Sequence, residues 1–387
     1  MKIGIVTTSY PRFGGDRAGL FTAQLAEALE DLGHRVLVVA PEAAGAEKQT
    51  GVFRARFPSR LSGGIAYGAG IVENLKKNPL LFLGVFGFIR GLARAVSGHL
   101  SGCEVIDASF TAAGAAVARA RRPKQAIIYT GHGTDIHLLD RSRLYAWYFK
   151  RLLGRYDAVT VVSKTLAEKL SEHGCLVDAA VIPNGVSRKA LESAGDWRDT
   201  PTVIFASRFI EQKRPGLLLE AWAGVVAEVP KARLILFGDG PALSPTRSLA
   251  GTLGLHGAVD FRGETPPEQV WREMGRGWLT VLPSEREGFP PVLLESLAAG
   301  TPFLASPAGA APEIVQKTGG GRLLPEPLTA ERLSEMIIPA LKDKEGLRQM
   351  GEAGRGKVLE LYSWEGIARQ KAELYSRAVS GRQGIND

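Results

Sequence analysis

The sequence predicts an α/β protein that is built from two doubly wound parallel-sheet domains. Short runs of apolar, mostly β-branched residues alternate with amphipathic stretches, and this alternation starts again near residue 202. Runs that are apolar throughout are typical of parallel strands buried on both faces. A length of 387 residues is also sufficient for two domains of ordinary size.

The first half of the chain contains several strands and at least two amphipathic helices. A helix is predicted over 21–32, because Leu25, Leu29 and Leu32 fall on one stripe of such a helix. A second amphipathic helix is predicted over 164–171. The predicted strands are 2–7, 35–40, 105–107, 126–129, 158–162 and 180–182.

The second half repeats the pattern after a polar, glycine-containing stretch at 185–201, which we interpret as a linker. We therefore assign residues 1–186 to a first domain and residues 187–363 to a second. The last segment, 364–379, is predicted to be helical. The predicted strands of the second half are 202–206, 233–237, 259–261, 278–282, 302–305 and 321–324.

Composition is that of a soluble globular protein. Hydrophobic residues make up 45% of the chain and charged residues 23%, which is enough apolar surface for sizeable cores. The two cysteines, Cys103 and Cys175, predict a reducing compartment and no disulfide framework. The segment 2–10 is predicted as a first strand rather than as a signal peptide. We therefore expect a cytoplasmic protein.

Positive charge is concentrated in the first half of the chain. Residues 1–190 hold 25 Lys and Arg against 15 Asp and Glu, whereas residues 191–387 hold 23 against 25. A basic half implies an anionic partner, such as phospholipid headgroups, a phosphorylated glycan or nucleic acid. Much of the excess lies at Arg54, Arg56, Arg60, Lys76, Lys77, Arg90, Arg94 and over 119–124.

Some of these bases flank an apolar window at 79–89. The window is too short to cross a bilayer, which takes about 20 residues. Apolar residues between bases suit an interfacial membrane segment. Segment 76–94 is therefore predicted either to contact the inner face of the plasma membrane or to be a core helix with solvated ends, and both interpretations stay open.

The segment 284–302 carries two glutamates eight residues apart, Glu287 and Glu295. Glu287 lies on a loop rich in Gly and Pro, and Glu295 lies two turns further along an apolar helix. Because residues at i, i+4 and i+8 share a helix face, Glu295 is expected beneath the loop that carries Glu287. Ionised carboxylates only accept hydrogen bonds, which suits the hydroxyls of a sugar or a ribose.

Two cations, Arg208 and Lys213, follow the first strand of the second half on a loop that enters a helix. Fixed cations in a low-dielectric cleft stabilise negative charge that develops on a group bound beside them.

His132 lies between two glycines in Thr130-Gly-His-Gly-Thr-Asp135, directly after a predicted strand. Ligands of open α/β sheets bind beyond the carboxyl ends of the strands. A neutral imidazole can donate or accept a hydrogen bond, so His132 is a candidate to orient a sugar hydroxyl. Asp135 is expected to orient the imidazole.

These motifs together resemble glycosyltransferase family 4, the retaining nucleotide-sugar glycosyltransferases of GT-B fold. Glu287 and Glu295 are similar to the family's Glu-x7-Glu signature. Arg208 and Lys213 are similar to its Gly-Arg-Leu-x-x-x-Lys pattern, with Ser207 in place of the glycine. The resemblance runs over nearly the whole chain.

The resemblance implies two Rossmann-like domains that face a central cleft. The first domain is then expected to bind the acceptor, and the second is expected to bind the nucleotide-sugar donor. A C-terminal helix at 364–380 is expected to cross back onto the first domain.

The same resemblance implies roles for individual residues. Glu287 is expected to contact hydroxyls of the donor sugar, Glu295 the ribose diol, and His132 the donor sugar from the first domain. Arg208 and Lys213 are expected to hold the diphosphate. Further donor contacts are expected at Gly14, Gly15, Gly238, Arg262, Gly288, Phe289, Val292 and Leu293.

One departure from the family pattern concerns the backbone after Phe289. Pro290 and Pro291 follow it, and a proline has no amide hydrogen to donate. In the family, the backbone amides at the positions of Pro290 and Pro291 contact the donor. Here the amides of Val292 and Leu293 are expected to make those contacts instead.

No metal or other cofactor is expected. No Asp-x-Asp pair occurs in the sequence, and Arg208 and Lys213 can take the place of a metal cation. No second carboxylate is placed for a double displacement, which favours front-face retention. The predicted reaction moves a sugar to a hydroxyl of a lipid-linked or polysaccharide acceptor in cell-envelope glycan or glycolipid synthesis.

Three other classes of protein remain for comparison. A sugar-nucleotide epimerase needs further acid–base groups, and a phosphorylase of this fold needs a pyridoxal-binding lysine. A nucleic-acid-binding module fits the positive charge but lacks a clustered aromatic and basic recognition motif, so no nucleic acid is expected as a partner. A nicotinamide dehydrogenase would need a glycine fingerprint that does not follow the first strand.

Overall fold

The structure is a computed structural model that describes residues 1–59, 61, 64–67 and 71–383. Two of the predicted basic positions, Arg60 and the side chain of Lys76, lie outside the described residues. Contacts divide the chain into two compact units. Met1–Asn184 and the stretch that begins at Trp364 form the first unit, and Gly185–Ser363 form the second.

Within the described residues, the first unit contains a seven-stranded sheet in the order β3-β2-β1-β4-β5-β6-β7. All neighbouring strands run parallel. Both faces of the central strands are buried, which explains the uniformly apolar runs in the sequence. The strands are β1 (Lys2–Val6), β2 (Arg35–Pro41), β3 (Val52–Ala55), β4 (Val105–Ser109), β5 (Ala126–Gly131), β6 (Ala158–Val161) and β7 (Ala179–Val181).

Helices of the first unit connect these strands. Two of them begin at serine caps, because the Oγ of Ser142 accepts the amide of Tyr145 at 3.2 Å and that of Ser163 accepts the amide of Leu166 at 3.4 Å. The helices are α1 (Leu20–Asp31), α2 (Ile71–Lys77), α3 (Val85–His99), α4 (Thr111–Ala120), α5 (Thr134–His137), α6 (Arg143–Leu153) and α7 (Lys164–Glu172).

The C-terminal helix, Trp364–Gln383, belongs to the first unit and packs against α1 and β5. The indole nitrogen of Trp364 donates to Oε1 of Gln24 at 3.0 Å. Ile367 and Tyr375 join the apolar core that β1 and α1 also line. The helix therefore completes one face of the first sheet.

The second unit, every residue of which the structure describes, contains a six-stranded parallel sheet in the order β10-β9-β8-β11-β12-β13. One of its core clusters includes the buried side chains of Phe205, Trp222 and Leu279. The strands are β8 (Thr202–Ala206), β9 (Arg233–Phe237), β10 (Val259–Gly263), β11 (Leu279–Leu282), β12 (Phe303–Ala305) and β13 (Gly321–Leu323).

Helices of the second unit lie before the first of these strands, between strands and after the last one. They are α8 (Arg188–Leu191), α9 (Pro215–Glu228), α10 (Leu243–Thr252), α11 (Pro267–Gly275), α12 (Pro291–Ala298), α13 (Ala311–Thr318), α14 (Ala330–Lys342) and α15 (Lys344–Tyr362). The C-terminal helix of the first unit is accordingly α16.

The interpretation of 185–201 as a linker is wrong. The segment contains α8, and its carbonyl groups are bound by side chains of the second unit. A guanidinium nitrogen of Arg355 donates to the carbonyl of Leu191 at 3.0 Å, and the indole nitrogen of Trp278 donates to that of Arg198 at 2.7 Å. The polar composition of 185–201 is that of a surface segment packed on the rest of the second unit and not that of a flexible linker.

Two further differences concern the first unit. The edge strand β3 was not predicted, because the run Val52–Ala55 is only four residues long and contains a charged residue. The apolar window at 79–89 continues as a 3₁₀ turn, Pro79–Gly84, and then as α3.

Pro79–His99 is the one helical stretch in the described residues that is long and apolar enough to cross a membrane, with a mean hydropathy of 1.6. The window 79–89, which is too short on its own, is therefore part of a longer stretch that is sufficient in length and composition. Of its 18-residue apolar window, 39% is buried within the protein, as in the core helix of a soluble protein. Phe88, Leu92 and Val96 form its buried side.

Candidate active site

The loop that follows β8 carries Arg208 and is held by a close backbone contact. The amide of Ser207 donates to the carbonyl of Phe237 at 3.1 Å. Gly238 has a φ of +126°, and a Cβ at this position would lie 1.9 Å from the carbonyl oxygen of Ser207. A side chain cannot fit there unless the loop moves. Gly238, which was predicted to contact the donor, therefore also lets the loop of Arg208 pack against the end of β9.

The same loop tightens before α9. Glu211–Lys213 form a 3₁₀ turn, and Arg214 then takes the left-handed conformation, with φ 49° and ψ 46°. Pro215 begins the helix, where its preset φ is favourable. Lys213 and the neighbouring cation Arg214 therefore have different backbone conformations.

Lys213 and Glu287 form a buried ion pair. The Nζ of Lys213 lies 2.5 Å from Oε1 of Glu287, and the two side chains are 13% and 9% exposed. The strands β8 and β11 are neighbours in the sheet, so the loops that follow them meet at the same edge. A hydrogen bond between two charged groups is among the strong ones, and loss of either partner would remove that bond from a largely buried charge.

Gln212 joins these two loops by a pair of hydrogen bonds. Its side-chain amide donates to the carbonyl of Arg286 at 2.6 Å, and its backbone carbonyl accepts the amide of Glu285 at 2.8 Å. The bonds lie directly beside Lys213 and Glu287 in the sequence. Gln212 therefore fixes the separation of the ion pair through the backbone on both sides.

The loop of Glu287 is also held from another side. Gly309 has a φ of +57°, and a Cβ there would lie 2.6 Å from the carbonyl oxygens of both Glu287 and Gly288. The amide of Ala310 donates to the carbonyl of Gly288 at 3.2 Å. The segment after β12 thus packs on the backbone that carries the glutamate.

Helix α12 begins directly after Pro290. The amide of Leu293 donates to the carbonyl of Pro290 at 3.2 Å, so this amide is already engaged in the first helical turn. The side chains of Val292 and Leu293 are buried, and the ring of Phe289 packs 6.2 Å from that of Tyr362. The side chains of these three predicted donor-binding residues therefore pack inside the second unit.

Glu295 is the fifth residue of α12 and is 9% exposed. The next residue, Ser296, fastens the helix to the sheet. Its hydroxyl donates to the carbonyl of Thr301 at 2.8 Å and contacts the hydroxyl of Thr280, on β11, at 2.7 Å. The position of Glu295 is therefore set by the sheet as well as by the helix.

A groove of about 790 Å³ lies beside α11 in the second unit. Its volume is in the range of small-molecule sites. Among the predicted donor-binding residues, Arg262 lines it, and the Nε of Arg262 donates to Oδ2 of Asp260 at 2.6 Å. The lining also includes Phe237, Glu264, Thr265, Gln269, Arg272 and Arg276.

In the first unit, His132 lies between two aromatic rings. Its ring centroid is 4.6 Å from that of Phe21 and 4.9 Å from that of Phe110, and its Nε2 lies 3.2 Å from the hydroxyl of Ser109. Burial, and then the positive charge of Lys371, lowers the pKa of His132 from 6.5 to about 3. The imidazole is therefore neutral throughout the physiological pH range.

The expectation that Asp135 orients His132 is wrong. One carboxylate oxygen of Asp135 accepts the hydroxyl of Tyr129, and the other accepts the amide of Gly133 at 3.0 Å. Asp135 therefore closes the turn after β5. Ser109, at the end of β4, contacts the imidazole instead.

The loop between β1 and α1 has an open outer surface. Gly14 and Gly15 are exposed, and a Cβ at either position would meet no other atom of the described residues within 4 Å. Asp16 sets the conformation of the loop, because Oδ2 accepts Nε of Arg12 at 2.6 Å and Oδ1 accepts the amide of Ala18 at 3.1 Å. The glycines thus leave room for a ligand to approach the backbone.

Two family models match consecutive parts of the chain. The model described as glycosyltransferase family 4 matches residues 18–189, and the model described as glycosyl transferases group 1 matches residues 188–357. N-acetyl-alpha-D-glucosaminyl L-malate synthase of Bacillus anthracis is 30% identical over 262 residues, which are 64% of this chain and 67% of that protein. The chain belongs to glycosyltransferase family 4.

Other curated relatives of this family 4 chain match over part of their length. An exopolysaccharide phosphotransferase of Streptomyces coelicolor is 36% identical over 183 residues, which are 47% of this chain and 19% of that protein. The GDP-mannose-dependent alpha-(1-6)-phosphatidylinositol monomannoside mannosyltransferase of Mycobacterium tuberculosis is 28% identical over 56% of this chain and 61% of its own. The chain thus spans less than two thirds of each of these two relatives.

Solved structures share the fold of the family 4 chain. Sucrose-phosphate synthase of Thermosynechococcus elongatus has a TM-score of 0.78 at 22% identity and covers 98% of this chain and 100% of its own. HepE of Anabaena, in complex with UDP-glucose, has a TM-score of 0.70 at 19% identity and covers 97% of this chain and 100% of its own. The predicted fold class, α/β of GT-B type with two parallel-sheet domains, is confirmed.

Sequence reasoning did not identify Gln212, Ser109 or Ser296 as residues that hold the site of this family 4 chain. Each is an uncharged polar residue whose partner is remote in the sequence. Of the three, Gln212 alone could have been suspected from the sequence, because it is adjacent to the predicted site residue Lys213 on the same loop. Ser109 and Ser296 could be found only from the order of the strands.

Proposed function

We propose that this family 4 protein transfers a sugar from a nucleoside-diphosphate-sugar to a hydroxyl of a lipid-linked or polysaccharide acceptor, with retention at the anomeric carbon. The observation that carries the proposal is the buried Lys213–Glu287 pair, with Arg208 on the same loop as Lys213. An ammonium suits a phosphate oxygen, and the adjacent carboxylate suits a sugar hydroxyl. The pair therefore offers complementary groups for the two parts of a sugar phosphate.

The proposed reaction follows a front-face route. The bond between the anomeric carbon and the β-phosphate oxygen breaks while the acceptor oxygen bonds to the same face of that carbon. The acceptor proton passes to the departing phosphate oxygen, so no carboxylate nucleophile takes part. Arg208 and Lys213 stabilise the charge that leaves with the diphosphate, each by about 3 to 4 kcal/mol in the transition state.

Lys213 can serve the donor without leaving Glu287. An ammonium has three hydrogens to donate, and Glu287 uses one of them. Glu287 in turn accepts a hydroxyl of the donor sugar, and Glu295 accepts a ribose hydroxyl. Two fixed cations take the place of a divalent ion, so the reaction is proposed to be independent of metal.

His132 is proposed to orient one substrate hydroxyl as a neutral imidazole. Its Nδ1 is buried, whereas Nε2 contacts the hydroxyl of Ser109. Because Nδ1 is buried, Nε2 is the ring atom that we assign to the substrate, whose hydroxyl would replace that of Ser109 as its hydrogen-bond partner. The low pKa of His132 keeps this atom in the same state from pH 5 to pH 8.

The nucleobase is proposed to bind in the groove that Arg262, Glu264 and Thr265 line, because these residues lie at the carboxyl end of β10. The names of the relatives include a GDP-mannose-dependent enzyme, and the HepE structure contains UDP-glucose. Guanine and uracil nucleotides are therefore the first donors to compare.

A membrane glycolipid is the acceptor class that we favour, with the first unit at the cytoplasmic face of the membrane. The segment from residue 79 to residue 86 presents large apolar side chains to solvent next to the bases Lys77 and Arg90. Such a surface suits the interface of an anionic bilayer. The exposed side chains are Leu80, Phe82, Leu83 and Phe86, which are 63% to 85% exposed.

A donor panel tests the proposal. Purified protein is incubated with UDP-, GDP- and ADP-sugars in excess EDTA, and melting temperature and slow donor hydrolysis are recorded. We expect one nucleotide class to raise the melting temperature and to be hydrolysed without metal. Arg208→Ala should reduce hydrolysis about 10²- to 10³-fold, whereas the exposed Arg348→Ala on α15 should not.

Two results would contradict the proposal. One is stabilisation by none of the nucleotide-sugars. The other is hydrolysis that disappears in EDTA and returns with a divalent ion. Stabilisation by double-stranded DNA with a steep salt dependence would instead indicate a nucleic-acid-binding protein.

A further inference from the structure

A buried ion pair joins the C-terminal helix α16 to the sheet of the first unit. The Nζ of Lys371 lies 3.1 Å from Oδ2 of Asp107 on β4, and the two side chains are 4% and 3% exposed. The hydroxyl of Tyr375, one helical turn after Lys371, donates to the same carboxylate oxygen at 2.5 Å. Both groups of the pair are therefore fully desolvated within one small network.

The ammonium of Lys371 joins three adjacent strands. Besides Asp107 on β4, it donates to the hydroxyl of Thr130 on β5 at 2.8 Å and to that of Thr160 on β6 at 2.9 Å. The hydroxyl of Thr130 also donates to Oδ1 of Asp107 at 2.6 Å. Since an ammonium has three hydrogens, Lys371 uses its whole donor capacity on these strands.

Stability alone is a weak reason for such a pair. A buried ion pair is often no more stabilising than well-packed apolar residues of similar size. The neighbours Ile367, Ala368 and Tyr375 already provide apolar contacts between α16 and the sheet. What the pair adds is a defined geometry at the carboxyl ends of β4, β5 and β6.

The strand residues that Lys371 binds lie close to His132 and to its partner Ser109. Ser109 comes two residues after Asp107 on β4, and His132 comes two residues after Thr130, directly beyond the end of β5. Ser109 is the register partner of Thr130. The contact between Ser109 and Nε2 of His132 depends on this register. One cavity of about 20 Å³ is lined by Asp107, Thr130, His132 and Lys371 together.

We propose that Lys371 is a positioning residue for His132. By clamping Asp107, Thr130 and Thr160, it holds β4 and β5 in the register at which Ser109 meets Nε2, and its positive charge acts on the imidazole from the same cavity. The proposal rests on the proposed function only for the consequence in turnover. The effect on the imidazole of His132 does not depend on the proposed function.

The main test uses the double variant Asp107→Asn/Lys371→Met, which removes both charges together and retains much of the side-chain volume. The readouts are unfolding, the KM for the donor, kcat, and the ring ¹⁵N shifts of His132, assigned with His132→Gln. We expect a folded protein, a donor KM within about twofold of wild type, kcat at least tenfold lower and altered ring shifts. The exposed Arg377→Met, on the same helix, should change none of these.

Tyr375→Phe is a second variant that does not disturb the pair itself. It removes one hydrogen bond to Asp107, and we expect kcat to fall about threefold with a smaller change of the ring shifts in the same direction. This variant keeps the proposal testable if the double variant does not fold.

The proposal is overturned if the folded variants keep wild-type kcat and wild-type ring shifts of His132. A protein that turns over no nucleotide-sugar would contradict the proposed function instead. In that case the ring shifts alone decide the role of Lys371, so the two failures are distinguishable.

Discussion

The Nζ of Lys213 and the Oε1 of Glu287 lie 2.5 Å apart, although the two residues are separated by 74 positions in the sequence. Both belong to motifs that the family resemblance assigns separately, one to the diphosphate and one to the sugar. Their contact makes them a single electrostatic unit, because each charge is buried beside the other. A substitution of either residue therefore changes the environment of both.

Lys213→Ala should reduce both activity and stability. It removes a cation from the proposed diphosphate site and takes from the buried carboxylate of Glu287 its hydrogen bond to the ammonium. We expect kcat to fall about 10²- to 10³-fold and the free energy of unfolding to fall by about 3 kcal/mol. Steady-state kinetics and urea unfolding measure the two effects.

The double variant Lys213→Met/Glu287→Gln separates these effects. It should recover most of the lost stability, because both charges of the pair are removed together, while kcat stays low. Arg214→Asn is the matched control, since asparagine tolerates the left-handed conformation, and it should retain most activity. Recovery of activity in the double variant would show that the cation is not needed.

Gln212→Ala should weaken activity without unfolding the protein. The substitution removes the hydrogen bond from the side chain to the carbonyl of Arg286 but keeps the backbone bond to Glu285. We expect a loss of about 1 kcal/mol in stability and a larger relative loss in kcat, about tenfold. Gln349→Ala, which removes an exposed hydrogen bond on α15, is the control. Equal kinetics for both variants would refute the role of Gln212.

Gly238→Ala should disrupt the loop of Arg208. A methyl group there would lie 1.9 Å from the carbonyl oxygen of Ser207, on a backbone with positive φ. We expect a loss of at least about 2 kcal/mol in stability together with a loss of activity. Gly257→Ala is the control, because a Cβ at Gly257 meets no described atom within 4 Å. Wild-type melting temperatures for both variants would contradict this account.

Acid should destabilise the first unit partly through His132. Its pKa is about 3 in the folded protein and 6.5 for the ordinary group, so the unfolded chain binds the extra proton between these values. Stability from this group is fully present above pH 6.5 and is lost as the pH falls towards 3. The contribution to the slope approaches about 1.4 kcal/mol per pH unit.

The comparison of wild type with His132→Gln tests this dependence. Urea unfolding is measured at several values between pH 7 and pH 4, and the variant should show the shallower slope. Lys371 lowers the pKa and Asp107 raises it, so both residues are kept unchanged in the experiment. Parallel slopes would mean that His132 does not titrate in this way.

Leu83→Ser/Phe86→Ser should weaken membrane binding without a loss of stability. Both side chains are more than 70% exposed, so their replacement costs no core packing. Co-sedimentation with vesicles that contain anionic lipid should show at least a severalfold loss of binding. The similarly exposed Leu176→Ser, which lies between α7 and β7, is the control. Unchanged binding by the double variant would leave the apolar segment with a structural role only.

Much of the fold followed from local pattern. The strands of both sheets were placed within a few residues, because parallel strands buried on both faces leave continuous apolar runs. The short edge strand β3 and the segment 185–201 were not assigned correctly. The strand β3 is only four residues long and pairs with β2 at the edge of the sheet. The segment 185–201 is polar, and its conformation depends on Arg355 and Trp278 in the second unit.

By itself, the sequence determined the α/β class, the repetition of the pattern and the charged motif residues Arg208, Lys213, Glu287 and Glu295, because periodicity and residue chemistry are local properties. The tertiary structure decided which of them touch. The pairing of Lys213 with Glu287, the contact of Ser109 with His132 and the clamp of Lys371 all join residues that are remote in the chain. Such contacts arise only when strand order and register bring loop ends together, and no local pattern encodes that order.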